Sequence, residues 1–200
     1  MYFPILEYFE GYPYHKHRIM PFYLKSFDFL EPIYSTRNIL LAPQTGTSHT
    51  DTFWIVEWVR TPHEILQFKQ INSRGTLLQM VYIDGDYVHS VLGEGIDLAF
   101  GGEFGKGAFQ FAVLESGIII NYFAHDVDFQ LSTVVGLLTL EGQLQKIDPP
   151  PLQFVFLVFH DSYDNGLYAW AWQNDELCRN YLFRLDGATL TWTRLVASDT

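Results

Sequence analysis

The amino-acid sequence predicts an all-β protein with antiparallel strands, and three observations carry that expectation. First, 34 of the 200 residues are Phe, Tyr or Trp, types that favour the pleated, half-buried surface of a strand. Second, Tyr168-Ala169-Trp170-Ala171-Trp172 alternates three large rings with two methyl groups. Successive side chains of a strand point to opposite faces, so the rings share one face and the methyls the other. Third, runs of this kind are short and are punctuated by Gly, Pro, Asp and Asn. They amount to about twelve strands at the regular spacing of a barrel or a sandwich.

Taken in order, residues 1–50 hold five of the nine prolines: Pro4, Pro13, Pro21, Pro32 and Pro43. Each fixes φ and removes a backbone donor, which excludes a long helix or a central strand there. The same region is rich in Tyr and Phe, so it is expected to be an ordered wrap of short strands and turns. Residues 51–200 form the main body, and the whole is read as a single domain. Thr52–Arg60 alternates, with Trp54, Val56 and Trp58 on one side and Phe53, Ile55, Glu57 and Val59 on the other. Glu64–Ile71 comes next as a strand. Thr76–Ile83 and Tyr87–Leu92 flank Asp84-Gly85-Asp86, a hairpin signal. The glycine-rich 93–107 reads as a bulged connection. Ala108–Glu115 and Gly117–Ala124 form a hairpin, continued by Phe129–Glu141. Pro149-Pro150-Pro151 is a stiff spacer. Leu152–Phe159, Gly166–Gln173, Asn180–Leu185 and Ala188–Leu195 complete the set, the last pair turning at Asp186-Gly187. Val134–Leu144 and Asp175–Leu182 are the helical alternatives, neither well capped. Ile118-Ile119-Ile120 and Leu152–Phe159 are apolar on both faces, so both faces need cover. The cover is expected from the N-terminal wrap, a short helix or another subunit, and homodimerisation is a reasonable expectation.

Charge and composition exclude several function classes. Twelve basic against 23 acidic residues give a formal charge of −11. Between Gly75 and Cys178 two lysines oppose fourteen acids, a net of −12. That is no surface for nucleic acid, which needs clustered Lys and Arg to displace counterions. Cys178 is the single cysteine, so no intramolecular disulfide forms. No apolar run is long enough for a membrane-spanning helix and no secretory leader is visible, so a cytoplasmic location is expected.

Two kinds of residue are candidates for chemistry. His125-Asp126 and His160-Asp161 each close an apolar strand and are succeeded by a further acid. If both strands end on one rim, the imidazoles form acid/base pairs tuned by carboxylates, although Asp and His at strand ends also serve ordinary turns. His15-x-His17 lacks a nearby downstream carboxylate, and Asp84 with Asp86 lacks the other ligands of a calcium loop. No metal and no cofactor is expected. The second kind is aromatic: Trp54 and Trp58 on one strand, Tyr168, Trp170 and Trp172 on another. Such rings either pack as core or line a hollow for a ligand.

The resulting expectation is an antiparallel barrel, lipocalin-like in general architecture, with a two-sheet sandwich as the alternative. The Gly-x-Trp signature of many lipocalins is absent, so that comparison rests on strand count and size. The expected function is binding of a small apolar or aromatic molecule by the five rings. Two alternatives accompany it: an isomerase, cyclase or lyase using a His-Asp pair, and a protein-interaction module without a small ligand.

Overall fold

The computed structural model describes residues 2–7, 16–23, 28–29, 34–36, 39–41, 52–59, 65–72, 74–93, 109–125, 131–152, 154–161, 163–172 and 180–198. Among these are sixteen strands and one helix, arranged in four antiparallel sheets of four strands each. The all-β, antiparallel expectation is therefore met. The closed, lipocalin-like barrel is not: among the described residues no sheet closes on itself, and each keeps edge strands. A barrel abolishes edges, and about eight strands are needed before its interior fills properly. A sheet of four is too narrow to curl shut.

The chain divides into two compact units, Met1–Ala42 with Gly46–Tyr82, and Pro43–Thr45 with Ile83–Thr200. In the first unit, β1 (Tyr2–Glu7) and β2 (Lys16–Tyr23) pair over their length. The opposite edge of β2 takes β3 (Asp28–Phe29) and β4 (Tyr34–Thr36). Pro4 sits on the edge strand β1. Contrary to expectation β2 is a central strand, and its Pro21 sits at the last pair with β1, the missing donor falling at the end of the ladder. The second sheet runs β5 (Ile39–Leu41), β6 (Thr52–Val59), β7 (Ile65–Asn72) and β8 (Leu77–Asp84), the last strand crossing the division between units. Phe53, Ile55 and Val56 are all buried, so β6 is covered on both faces. Glu57 is buried too, and the Lys69 ammonium pairs with its carboxylate, which is what makes a charge tolerable at that depth.

The second unit departs from the expected pattern at its start. The segment read as a hairpin around Asp84-Gly85-Asp86 is instead the helix α1 (Gly85–Leu92). Asp84 is extended and its carboxylate accepts the Asp86 N–H at 2.8 Å, an N-cap that satisfies one of the helix's orphan donors. The buried positions Gly85, Val88 and Leu92 recur at helical spacing. A capping aspartate and a turn aspartate look alike in sequence, and the helical period of the residues after it decides between them.

The third sheet consists of β9 (Phe109–Leu114), β10 (Gly117–His125), β11 (Leu131–Leu138) and β12 (Leu144–Ile147), in the order β12-β11-β10-β9. The fourth is β13 (Phe154–Asp161), β14 (Gly166–Trp172), β15 (Asn180–Asp186) and β16 (Trp192–Ser198). Both are meanders, as is the second sheet, and repeated four-stranded meanders are the unit from which β-propellers are built. The helical alternative for Val134–Leu144 gives way to β11 and β12, and Asn180–Leu182 is strand. Ile118, Ile119 and Ile120 are fully buried, so both faces of β10 are covered as expected. The same sheet also carries α1, which lies on β11 and β12. Gly136 is what lets it approach: a Cβ there would stand 3.0 and 3.1 Å from the Leu92 methyls and 3.2 Å from Leu144.

The third and fourth sheets share one apolar core. Ala112, Leu114, Ile119, Val135, Leu137 and Ile147 meet Val155, Leu157, Leu167, Ala169, Ala171, Phe183 and Leu185. The methyl face of β14 is thus the inward one. The Ala side chains permit close approach of the neighbouring sheet.

Candidate ring shelf and the polar clusters beside it

The free edge of β13 lies over the third sheet and is occupied by side chains in place of a strand. Val155 N–H donates to Thr133 Oγ1 at 2.9 Å, and Asn121 Nδ2 donates to Val155 O at 2.9 Å. Two residues on, Leu157 N–H donates to Gln110 Oε1 at 2.8 Å and Gln110 Nε2 donates to Leu157 O at 3.2 Å. Asn121 Nδ2 also donates to Gln110 Oε1 at 3.2 Å. A buried backbone group without a partner is expensive, and this amide lock supplies four of them at once. Sequence reading did not single these residues out. The available signal was Asn121, an amide inside the run Ile118–Phe123, where a polar group needs a partner to be retained.

The lock also orients the fourth sheet. Register places Leu157 opposite Ala169 and Phe156 opposite Trp170, so the inward face carries the methyls. The opposite face carries Tyr168, Trp170 and Trp172 in sequence alternation. A bulge at Val158 shifts the register, after which Phe159 opposes Tyr168 and His160 opposes Leu167. On the ring-bearing side Trp170 keeps 40 % of its surface exposed and Val158 48 %. Phe156 lies against Trp170 with centroids 5.7 Å apart, and Phe123 meets Phe156 edge-on at 5.1 Å. These contacts fall in the range of favourable ring pairing. The arrangement is an open shelf of rings on one side of a sheet.

A charged cluster borders it. Arg184 opposes Tyr168 and Asp186 opposes Gly166, so both stand on the shelf side. Arg184 Nε donates to Asp164 Oδ2 at 3.0 Å, Nη2 to Asp164 O at 3.0 Å and Nη1 to Asp186 Oδ2 at 3.4 Å. Tyr168 Oη donates to Asp164 Oδ2 at 3.1 Å, and Gly166 N–H donates to Oδ1 at 2.8 Å. The guanidinium, phenol and amide hold the Asp164 carboxyl below the usual carboxylate range. Asp186 is lowered by the turn it caps, with the amides of Ala188 and Thr189 and the Thr189 hydroxyl all donating to it.

His160 stands on the other face. Its strand partner Leu167 belongs to the core, and its imidazole is half-buried. Burial lowers its pKa, opposed by a hydrogen bond with Asn165 and the charges of Asp161, Asp164 and Glu115. Asn165 adopts the left-handed conformation that Asn tolerates, with φ at 48°. Its carbonyl accepts the Gly187 N–H at 2.9 Å. A Cβ on Gly187 would lie 2.5 Å from Asn165, so only glycine fits beneath this turn.

The sequence-derived candidates therefore separate. Tyr168, Trp170 and Trp172 come together on the shelf. Asp161 opposes Gly166 and shares that side, whereas His160 faces the core. His125 ends β10, and Asp126 lies outside the described residues. The β9–β10 turn lies at the His160 end, because Glu115 N–H donates to Asn165 Oδ1 at 3.4 Å. From that turn to His125 is roughly 26 Å of strand, at about 3.3 Å per residue. His125 therefore lies at the far end of β10 from the turn that adjoins His160, and the two histidines share no rim. Trp54 is half-buried on β6 in the other unit, and Trp58 lies on the same strand. His17 is in β2, and His15 lies outside the described residues, as do 94–108 and Cys178. Among the described residues no group of three or more His, Cys, Asp or Glu is placed to hold a metal ion. No helix among them is long and apolar enough to cross a membrane.

Comparison with known proteins gives no identity. No protein-family model matches the sequence, and no curated protein does. Among solved structures the chain is similar to an ACO/RPE65 chimera, at 11% identity and a TM-score of 0.46, covering 96% of this chain and 47% of that one. It is similar also to a mutant of Synechocystis ACO, at 11% identity and a TM-score of 0.44, covering 96% and 46%. The chain spans about half the length of the solved structures it matches.

Proposed function

We propose that this chain binds a small, largely apolar or aromatic molecule on the ring shelf of the fourth sheet. The observation that carries the reading is Trp170, which leaves 40 % of its surface exposed while its neighbour Phe156 holds it in place. A large apolar side chain held out toward solvent by a well-packed sheet marks an interaction site more often than a scattered surface residue does. Phe156, Tyr168 and Trp172 extend the contact area, and the backbone beneath them is fixed by the amide lock. A preorganised surface of this kind spends little conformational entropy on binding.

Titration of the protein with soluble aromatic compounds, monitored by two-dimensional NMR of the indole N–H signals, tests the reading. Saturable shifts confined to Trp170 and Trp172, lost in Trp170→Ala, support it. Compounds that shift no indole signal at millimolar concentration sink it.

A further inference from the structure

We infer that the ligand of the ring shelf is an organic cation, an ammonium or amine carried on an apolar body; the inference rests on the shelf being the binding surface. Its basis is the distribution of charge around the rings. Register puts Asp161, Asp186 and Arg184 on the shelf side of the sheet. Asp164 joins them from the β13–β14 turn, through its bonds to Tyr168 and Arg184. That is three carboxylates against one guanidinium, a net of −2 among the described residues on that side.

The guanidinium is also committed. Its Nε and Nη2 donate to Asp164 and its Nη1 to Asp186, so its charge is already balanced by two carboxylates of its own side. The other arginine of this sheet, Arg194, lies 5.6 Å over the Tyr181 ring. Arg194 opposes Phe183, a core residue, and so belongs to the opposite side. An arginine already stacked on a ring shows that aromatic faces in this sheet accept a cation.

Two physical effects then act in one direction. The faces of Trp, Tyr and Phe carry negative quadrupole potential and attract cations, Trp most strongly. The wider field adds to it, because the segment Gly75–Cys178 carries fourteen acids and two lysines. Such a field raises the local concentration of cations and repels anions. An apolar body resting on Trp170 with a positive head toward Asp161, Asp164 and Asp186 meets an excess of negative charge on this side. A carboxylate or phosphate in the same place meets three carboxylates and a single guanidinium that already pairs with two of them.

Three compounds of matched shape separate the possibilities: 4-hydroxyphenyltrimethylammonium, its uncharged isostere 4-tert-butylphenol, and the anion 4-tert-butylbenzoate. Their affinities for the full chain are measured by calorimetry at low and high salt. The expected result is binding of the cation roughly three- to fivefold tighter than the phenol, the range a partly exposed cation–ring contact gives. The benzoate binds weakest, and added salt narrows all three. Asp161→Asn and Asp186→Asn, each checked for an unchanged thermal melt, reduce the advantage of the cation and leave phenol affinity in place. Equal affinities for cation and phenol overturn the inference while leaving the shelf as a binding surface. If none of the three binds, both the inference and the shelf reading fail.

Discussion

At the scale of single residues, the amide lock is the feature with the most leverage. Asn121 is fully buried and holds both Val155 and Gln110. Asn121→Leu removes that donor and leaves a β13 carbonyl desolvated, so a loss of about 1–3 kcal/mol is expected in urea unfolding. A smaller change would mean that the edge is satisfied otherwise. His160 gives a second expectation. Its folded-state pKa lies below its unfolded value because burial disfavours the imidazolium. The unfolded chain therefore binds the proton more readily, and stability is fully present above the ordinary histidine pKa of about 6.5. It declines as pH falls from there toward the lower folded value. Thermal melts of the native chain and of His160→Gln between pH 8 and 5 should differ in slope, with the variant flatter. Asp164 and Asp186 act at a lower window, since their lowered values make stability fall only as the carboxylates protonate. None of this was legible from residue types alone. His160 and His125, each followed by an aspartate, look equivalent along the chain, and only the bulge at Val158 and the direction of β10 assign the two histidines to different places.

At the scale of elements, strand existence was readable wherever a short apolar or aromatic run is bounded by turn residues, as in β6, β10 and β14. Boundaries moved where a turn was misassigned: the final strand begins at Trp192, because Asp186 caps a longer turn through Thr189 and Leu190. The short β12 has only four residues and leaves both Gln145 and Lys146 exposed, too brief and irregular a pattern to declare itself. The helix α1 was hidden by Asp84, which reads as a cap only once the helical spacing of Val88 and Leu92 is recognised. Asp84→Ala is expected to destabilise by about 1 kcal/mol through loss of that cap. The seat of the helix provides a sharper test. Gly136→Val crowds Leu92 and Leu144 and is expected to cost about 1–3 kcal/mol, as overpacking does. Leu92→Ala in the same background should recover part of it, and a double-mutant cycle measures the coupling. Additive effects would show that the two residues do not meet.

At the scale of the whole molecule, composition gave the class and not the closure. Ring content and strand spacing are shared by barrels, sandwiches and stacked meanders alike, because each buries one face of an antiparallel sheet. Which sheet a strand joins depends on pairing partners far apart in sequence, and alternation is blind to that choice. The same blindness applies to the side a ring faces. Tyr168, Trp170 and Trp172 were identified as a set, but their outward aspect comes from Ala169 and Ala171 packing inward. Trp170→Ala is accordingly expected to change stability by about 1 kcal/mol or less, as surface replacements do, while Ala169→Trp should prevent folding of the fourth sheet. Near-ultraviolet circular dichroism and a urea melt distinguish the two outcomes.

The side chains that grip β13 all come earlier in the chain than the strand they hold. During synthesis the receiving surface leaves the ribosome first, and residues 154–161 emerge onto a template already waiting for them. A permuted gene encoding 154–198 ahead of 109 reverses that order. Its nascent strand would meet water, chaperones or its own kind before its proper seat exists, and a fall in soluble yield without any change in the final folded state is the expected signature.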